Sequence, residues 1–262
     1  MNIKKTDNTF KIVLSVGDES GIGPELILKA LCSDDLPKNI DFTLVGSKKN
    51  LLNTYNHLKG LGLKKLADPN SLQIYDLEIS PSYDKSKSSY GNSSFYYLKK
   101  AIEIVRQYPN SALVTGPICK KSWSLAGHYF SGQTEVLAKS CGIKNVGMLF
   151  TAKSPITGWR FNTLLATTHI ALNEVPKRLD TKLIHTKLDL FKDFCSAYIE
   201  KPILKVAGLN PHAGEEGILG ISLRALWVVA SKVLNLQPVI GDFAVNNIPT
   251  FFTPQDFAST SV

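Results

Sequence analysis

Apolar and polar positions along the chain fall into an alternation of short buried runs and amphipathic stretches. Lys11-Ile12-Val13-Leu14-Ser15-Val16 reads as a buried strand, Glu25 to Cys32 as a helix, Asp41 to Gly46 as a second strand and Lys48 to His57 as a second helix. Between Ser80 and Ser94 the sequence turns to Ser, Tyr, Lys, Gly and Asn, which predicts a surface loop ahead of a helix over Phe95 to Gln107. Ser111 to Thr115 and Val146 to Thr151 predict further strands, with a helix over Thr134 to Ser140 between them. Leu179, Leu183, Ile184, Leu188, Leu190, Phe191 and Phe194 recur at helical spacing, so Arg178 to Tyr198 predicts a long amphipathic helix before a last strand at Ile203 to Ala207. Strands alternating with helices indicate an α/β fold, with no internal repeat and no obvious linker.

Composition narrows the class. With 262 residues, 44% of them hydrophobic and 20% charged, the chain has apolar side chains enough for one large or two modest cores. The run Ile12 to Val16 is too short for a signal-peptide core, and no apolar stretch approaches the ~20 residues of a membrane span. A cytoplasmic location is the expectation. Cys32, Cys119, Cys141 and Cys195 show no Cys-x-x-Cys spacing, so neither a disulfide framework nor a thiolate zinc site is indicated. The net charge of +8 comes from lysines and arginines spread along the chain, which argues for a solvated basic surface and against a nucleic-acid partner.

Three glycine-rich turns carry the candidate chemistry. Gly17-Asp18-Glu19-Ser20-Gly21-Ile22-Gly23-Pro24 joins strand to helix and matches neither the Gly-x-Gly-x-x-Gly fingerprint nor the Walker loop. It is either a tight connection or an anion site built on free amides, and Asp18 or Asp242 could supply an oxygen ligand to a metal. Thr115-Gly116-Pro117-Ile118-Cys119-Lys120 follows another strand, and Lys120 is a candidate contact for a phosphate or carboxylate. Close behind, Gly132-Gln133-Thr134-Glu135 opens a helix, where Thr134 acts as an N-cap alone or as a cap that also touches substrate. The third turn, Leu209-Asn210-Pro211-His212-Ala213-Gly214-Glu215, hangs an imidazole beside Asn210 and Glu215, and His169 ends the apolar run from Asn162. Two imidazoles at strand ends suit a metal-assisted reaction, although a catalytic zinc normally takes three protein ligands. His57, His128 and His185 lack that setting and are expected at the surface.

Taken in order, these strings resemble the 4-hydroxythreonine-4-phosphate dehydrogenases of pyridoxal phosphate biosynthesis: Gly17-Asp18 with Gly21 to Glu25, Thr115-Gly116-Pro117 with Lys120, Gly132 with Thr134-Glu135, Ala166 to His169, and Leu209 to Glu215. The resemblance runs from about Lys11 to about Gly220. It implies an isocitrate and isopropylmalate dehydrogenase-like α/β fold, one unit over residues 1–262 built of two interleaved subdomains with a cleft, and a homodimer with shared active sites. It also implies NAD or NADP and a divalent metal (zinc, magnesium or manganese), used to oxidise 4-phosphooxy-threonine to a β-keto acid that decarboxylates to 3-amino-2-oxopropyl phosphate. Residue by residue, His169 and His212 match two of the family's three metal ligands, and Gln133 and Thr134 match its substrate-touching pair.

The chain departs from the family pattern in ways that set further expectations. Gln133 stands where the family has histidine, and an amide carries neither a proton nor a charge. Past Gly220 the family's two glutamates give way to Ile221-Ser222-Leu223-Arg224, and its late acidic motif to Asn246-Asn247. The family also continues beyond the point matching Val262, through a segment with the third metal histidine and further substrate contacts. These departures predict a shortened, divergent member of weak or absent activity. The alternatives are a paralogue acting on another phosphorylated hydroxy acid, such as a threonate or erythronate phosphate, and a non-catalytic relative that binds a ligand or partner.

Overall fold

In the computed structural model, which describes residues 10–79, 86–158, 160–207 and 209, the chain divides into two compact units, Met1–Ile143 and Lys144–Val262. The first is built on β1 (Phe10–Ser15), β2 (Ile40–Gly46), β3 (Gln73–Asp76) and β4 (Ser111–Thr115), all parallel and ordered β3-β2-β1-β4. Helices α1 (Gly23–Ala30), α2 (Lys48–Gly60), α3 (Lys87–Val105), α4 (Lys120–Leu125) and α5 (Gln133–Cys141) complete it. The inner strands read as near-continuous apolar runs because helices cover both faces of a parallel sheet. Val13, Leu44 and Val45 are fully buried with Leu28 of α1 and Leu51 of α2. A second cluster, Phe95, Leu98, Ile102, Trp123 and Val136, joins α3, α4 and α5. Pro24 lies in the first turn of α1, where its fixed φ and missing donor are tolerated.

Several boundaries differ from the sequence expectation, each for a physical reason. Helix α3 begins at Lys87, so much of the expected loop is helical, and Ser86 caps it by accepting from the Ser89 amide at 3.1 Å. The small residues there serve packing: a Cβ on Gly91 would lie 2.0 Å from the Ser122 carbonyl oxygen of α4. Strand β3, unforeseen, is an edge strand whose only inward apolar residue is the half-buried Ile74.

In the second unit, β5 (Leu149–Lys153) pairs antiparallel with β6 (Arg160–Leu164). A 3-10 turn (Leu172–Glu174), α6 (Val175–Arg178) and α7 (Thr181–Ser196) follow. Asp180 caps α7, accepting from the Leu183 amide at 2.6 Å, and the helix buries Ile184, Leu188 and Cys195 against Leu204. Strand β5 starts at Leu149 and not at Val146, whose carbonyl instead accepts from the Lys187 ammonium. Among the described residues no strand forms at Ile203 to Ala207: Leu204 and Val206 pack on the α7 cluster. Among the described residues no helix is long and apolar enough to cross a membrane.

Candidate active site

The strand order places a topological switch in the first unit. From β1 the chain moves outward to β2 and β3, then returns to lay β4 on the opposite side of β1, so the loops after β1 and β4 diverge from adjacent carboxyl ends. Open α/β sheets take their ligands at such a point. Glycine lets the two loops meet. A Cβ on Gly17, whose φ is +80°, would lie 2.3 Å from the Pro117 carbonyl oxygen, and one on Gly116 would lie 2.3 Å from the Val16 carbonyl oxygen. The Asp18 amide donates to that Pro117 oxygen at 2.9 Å.

Asp18 is 5% exposed, and its Oδ1 accepts from the Ser20 amide at 2.9 Å and the Ser20 hydroxyl at 2.6 Å. The Gly21 amide donates to the Asp18 carbonyl oxygen at 3.1 Å. The amides of Asp18, Ser20 and Gly21 are thus engaged inside the protein, and the Asp18 carboxylate holds its own backbone, while no side chain caps the start of α1.

Lys120 opens α4 with an exposed side chain, and its ammonium lies beside Gly132, 3.9 Å from where a Cβ would stand. Gln133 is the first residue of α5, and its Nε2 donates to the Gly116 carbonyl oxygen at 3.1 Å. The structure therefore brings Asp18, Lys120 and Gln133 to the same two loops. Thr134 is exposed in the same turn and does not cap it: the N-cap is Gly132, and no side chain closes the helix. Two acceptors here stand out. Gln133 Oε1 and Glu135 Oε2 are buried with no hydrogen-bond partner among the described residues. Each such atom costs about 1–3 kcal/mol unless a donor reaches it.

The sequence reading missed a neighbour of this edge. The fully buried Tyr97 of α3 donates from its hydroxyl to Glu19 Oε1 at 2.5 Å. Burial raises the Glu19 carboxyl above its ordinary range, against the lowering effect of the Tyr97 bond and of the Ser47 amide, and nearby Asp18 and Asp76 raise it further. Burial likewise raises the Tyr97 phenol, with the Glu19 charge adding to it, so this hydroxyl remains a donor. The Cys119 thiol is lowered, chiefly by hydrogen bonding to Ser122. His128, expected at the surface, is half-buried: its ring stacks on Phe95 at 3.8 Å and its Nε2 meets Asn92 Oδ1 at 2.9 Å. Burial lowers its pKa, helped by Lys99.

In the second unit His169 is exposed, five residues past the end of β6, with a left-handed backbone at φ +57°. Asn210, His212, Glu215 and Asp242 lie outside the described residues, so the pairing of the two imidazoles is not on view. Among the described residues no three His, Cys, Asp or Glu side chains cluster as a metal site. An exposed imidazole with no hydrogen bond to its ring among those residues fits the donor chemistry of a divalent transition cation.

Comparison with known proteins places this geometry. Residues 38–223 match the family described as pyridoxal phosphate biosynthetic protein PdxA. A curated 4-hydroxythreonine-4-phosphate dehydrogenase of Synechococcus sp. (strain RCC307) is 43% identical over 222 residues, covering 84% of this chain and 66% of that protein. The corresponding protein of Nostoc sp. (strain PCC 7120) is 42% identical over 222 residues, covering 80% and 60%. The chain thus spans two thirds or less of the length of these relatives. Among solved structures, a 4-hydroxythreonine-4-phosphate dehydrogenase from Klebsiella pneumoniae superposes with a TM-score of 0.71 at 24% identity, over 87% of this chain and 73% of that one, and supports the α/β fold. With a family match across residues 38–223, the chain belongs to the PdxA family.

Proposed function

We propose that the chain takes part in the NAD(P)- and metal-dependent oxidation of 4-phosphooxy-threonine, whose β-keto acid product loses carbon dioxide to give 3-amino-2-oxopropyl phosphate. The observation that carries this reading is 43% identity to a named dehydrogenase over 222 residues. The switch-point geometry around Gly116, Lys120 and Gln133 supports it. A divalent cation (zinc, magnesium or manganese) would supply polarisation of the substrate hydroxyl, and a nicotinamide cofactor would supply the oxidising power. His169, with His212, would hold the cation. Lys120 presents a charge suited to a phosphate, and Gln133 and Thr134 lie in the turn next to it. A second copy of the chain would complete the shared site.

The test is to incubate the purified protein with 4-phosphooxy-threonine, NAD or NADP and each of the three cations, following formation of reduced nicotinamide. Cation-dependent reduction supports the reading. Absence of reduction together with absence of substrate binding overturns it.

A further inference from the structure

Two rings hold the loop between α4 and α5 against α3, and one of them titrates. Gly127, left-handed at φ +83° with nothing within 4 Å of its Cβ position, turns the chain away from α4, and Gly132 ends the loop as the N-cap of α5. Between them the His128 ring stacks on Phe95 of α3, with centroids 3.8 Å apart and planes 11° from parallel, and meets Tyr96 edge-on at 5.8 Å. Phe130 stacks on the same Phe95 ring at 5.7 Å, while Tyr129 and Ser131 face solvent. Val136, buried with Phe95 and Trp123, anchors α5 one turn in. Release of the His128 ring would therefore loosen the stretch that ends at Gln133 and Thr134, leaving the bond from Gln133 to the Gly116 carbonyl as its main polar tie.

Asn92 Oδ1 can only accept, so the His128 Nε2 that faces it at 2.9 Å carries the hydrogen, and a further proton goes to Nδ1. The groups facing the ring from α3 are Asn92, the Tyr96 phenol and the Lys99 ammonium. From α5 the Lys139 ammonium lies over the neighbouring Phe130 ring at 5.5 Å, and from α4 the Trp123 carbonyl accepts from the His128 amide at 2.9 Å. Burial and the Lys99 charge both disfavour a cationic ring, with no carboxylate opposing them. The docked ring thus takes up a proton less readily than a solvated one, so docking is at full strength above the ordinary imidazole value of 6.5 and weakens as pH falls below it.

We propose that His128 is a positioning residue: its neutral ring latches the 127–132 loop onto α3 and its protonated ring releases it, so the turn at Gln133 and Thr134 is held at neutral pH and loosened in mild acid. That the loosening reaches a ligand rests on the reading of this turn as a substrate contact; the latch itself does not.

Amide hydrogen exchange of the full chain, followed from about pH 7.5 to about pH 5.5, reads the latch directly. Each rate is divided by that of His128→Phe at the same pH, which cancels the intrinsic pH dependence of exchange. Phenylalanine keeps the stacking surface and cannot titrate; should that variant fail to fold, His128→Gln, which keeps a donor toward Asn92, takes its place. Over this range residues 128–133 should lose protection by about threefold or more in the parent relative to the variant, with the amides of β1 and β2 unchanged. Calorimetric titration with 4-phosphooxy-threonine at both ends of the range should show a greater loss of affinity in the parent, a comparison that cancels the titration of the compound itself. Equal acid dependence of loop exchange in parent and variant, or loosening with no greater loss of affinity in the parent, overturns the inference and leaves the functional reading standing. Loosening that follows the imidazole while the compound binds at no pH upholds the latch and counts against the functional reading.

Discussion

Replacing His169 separates what its backbone costs from what its imidazole does. At φ +57° an L-residue gives up about 1–2 kcal/mol relative to the right-handed basin, and His and Asn are among the residues that tolerate this best. Because the side chain is exposed, little packing is at stake. His169→Asn should therefore leave metal-free stability within about 0.5 kcal/mol of the parent. His169→Gly should do the same, since relief of about 1 kcal/mol of strain is offset by a similar gain in unfolded-chain entropy. His169→Ala should lose about 1 kcal/mol and His169→Val about 2 kcal/mol, the β-branch crowding the left-handed backbone most. None of the four replaces the imidazole as a ligand. Zinc at one hundred times its dissociation constant adds about 2.7 kcal/mol to a protein that binds it only when folded, and that increment should vanish in every variant. Guanidinium unfolding followed by tryptophan fluorescence, with and without zinc, reads both quantities. A Val variant as stable as the Asn variant would defeat the strain argument, and a zinc increment surviving in His169→Asn would remove this residue from the ligand set.

Four further outcomes follow from the packing and the charges. The Glu19 carboxyl is raised above its ordinary 4.5 in the folded state, so the fold binds more protons than the unfolded chain above that value. Stability therefore falls as pH rises from about 4.5 through the folded pKa, and Glu19→Gln should flatten that slope and raise stability at neutral pH; unfolding midpoints across pH 4 to 8 that decline equally in both proteins would refute this. Gly116→Ala pushes a methyl to 2.3 Å from the Val16 carbonyl oxygen and should cost about 2–3 kcal/mol. Gly60→Ala, with nothing within 4 Å of its Cβ at the end of α2, should gain up to about 1 kcal/mol by reducing unfolded-state freedom, so equal denaturation midpoints for the two variants would count against the loop-contact argument. Trp123 is fully buried and donates from Nε1 to the Ser94 hydroxyl at 2.8 Å; Trp123→Phe should cost about 2 kcal/mol in the same assay through a lost bond and lost volume.

The elements legible in the sequence are those whose burial is decided locally. Strands β1 and β2 are buried between helices, so their apolar runs announce them, β4 keeps a short apolar run although it is only half-buried at the sheet edge, and α7 shows its inner face through Ile184, Leu188 and Cys195 at helical spacing. Where burial depends on a distant partner, local pattern misleads. The serines and glycine ahead of Phe95 suggest a loop, but their small size answers the approach of α4, and the apolar Leu204 and Val206 suggest a strand although α7 is what covers them. The candidate site divides in the same way. Its first two glycine turns are visible as strings, and Gln133 stands out beside one of them, but the adjacency of those two depends on the return of the chain to set β4 against β1 instead of β3. Only that placement presses Gly116 against Val16 and sets its carbonyl where the Gln133 amide reaches it. The bond between Glu19 and Tyr97, 78 residues apart, needs the same sheet order plus a helix boundary that composition conceals. A polar contact between distant segments leaves no periodic trace in either, which is why the chemistry of this edge is carried by hydrogen bonds that the pattern of apolar positions does not contain.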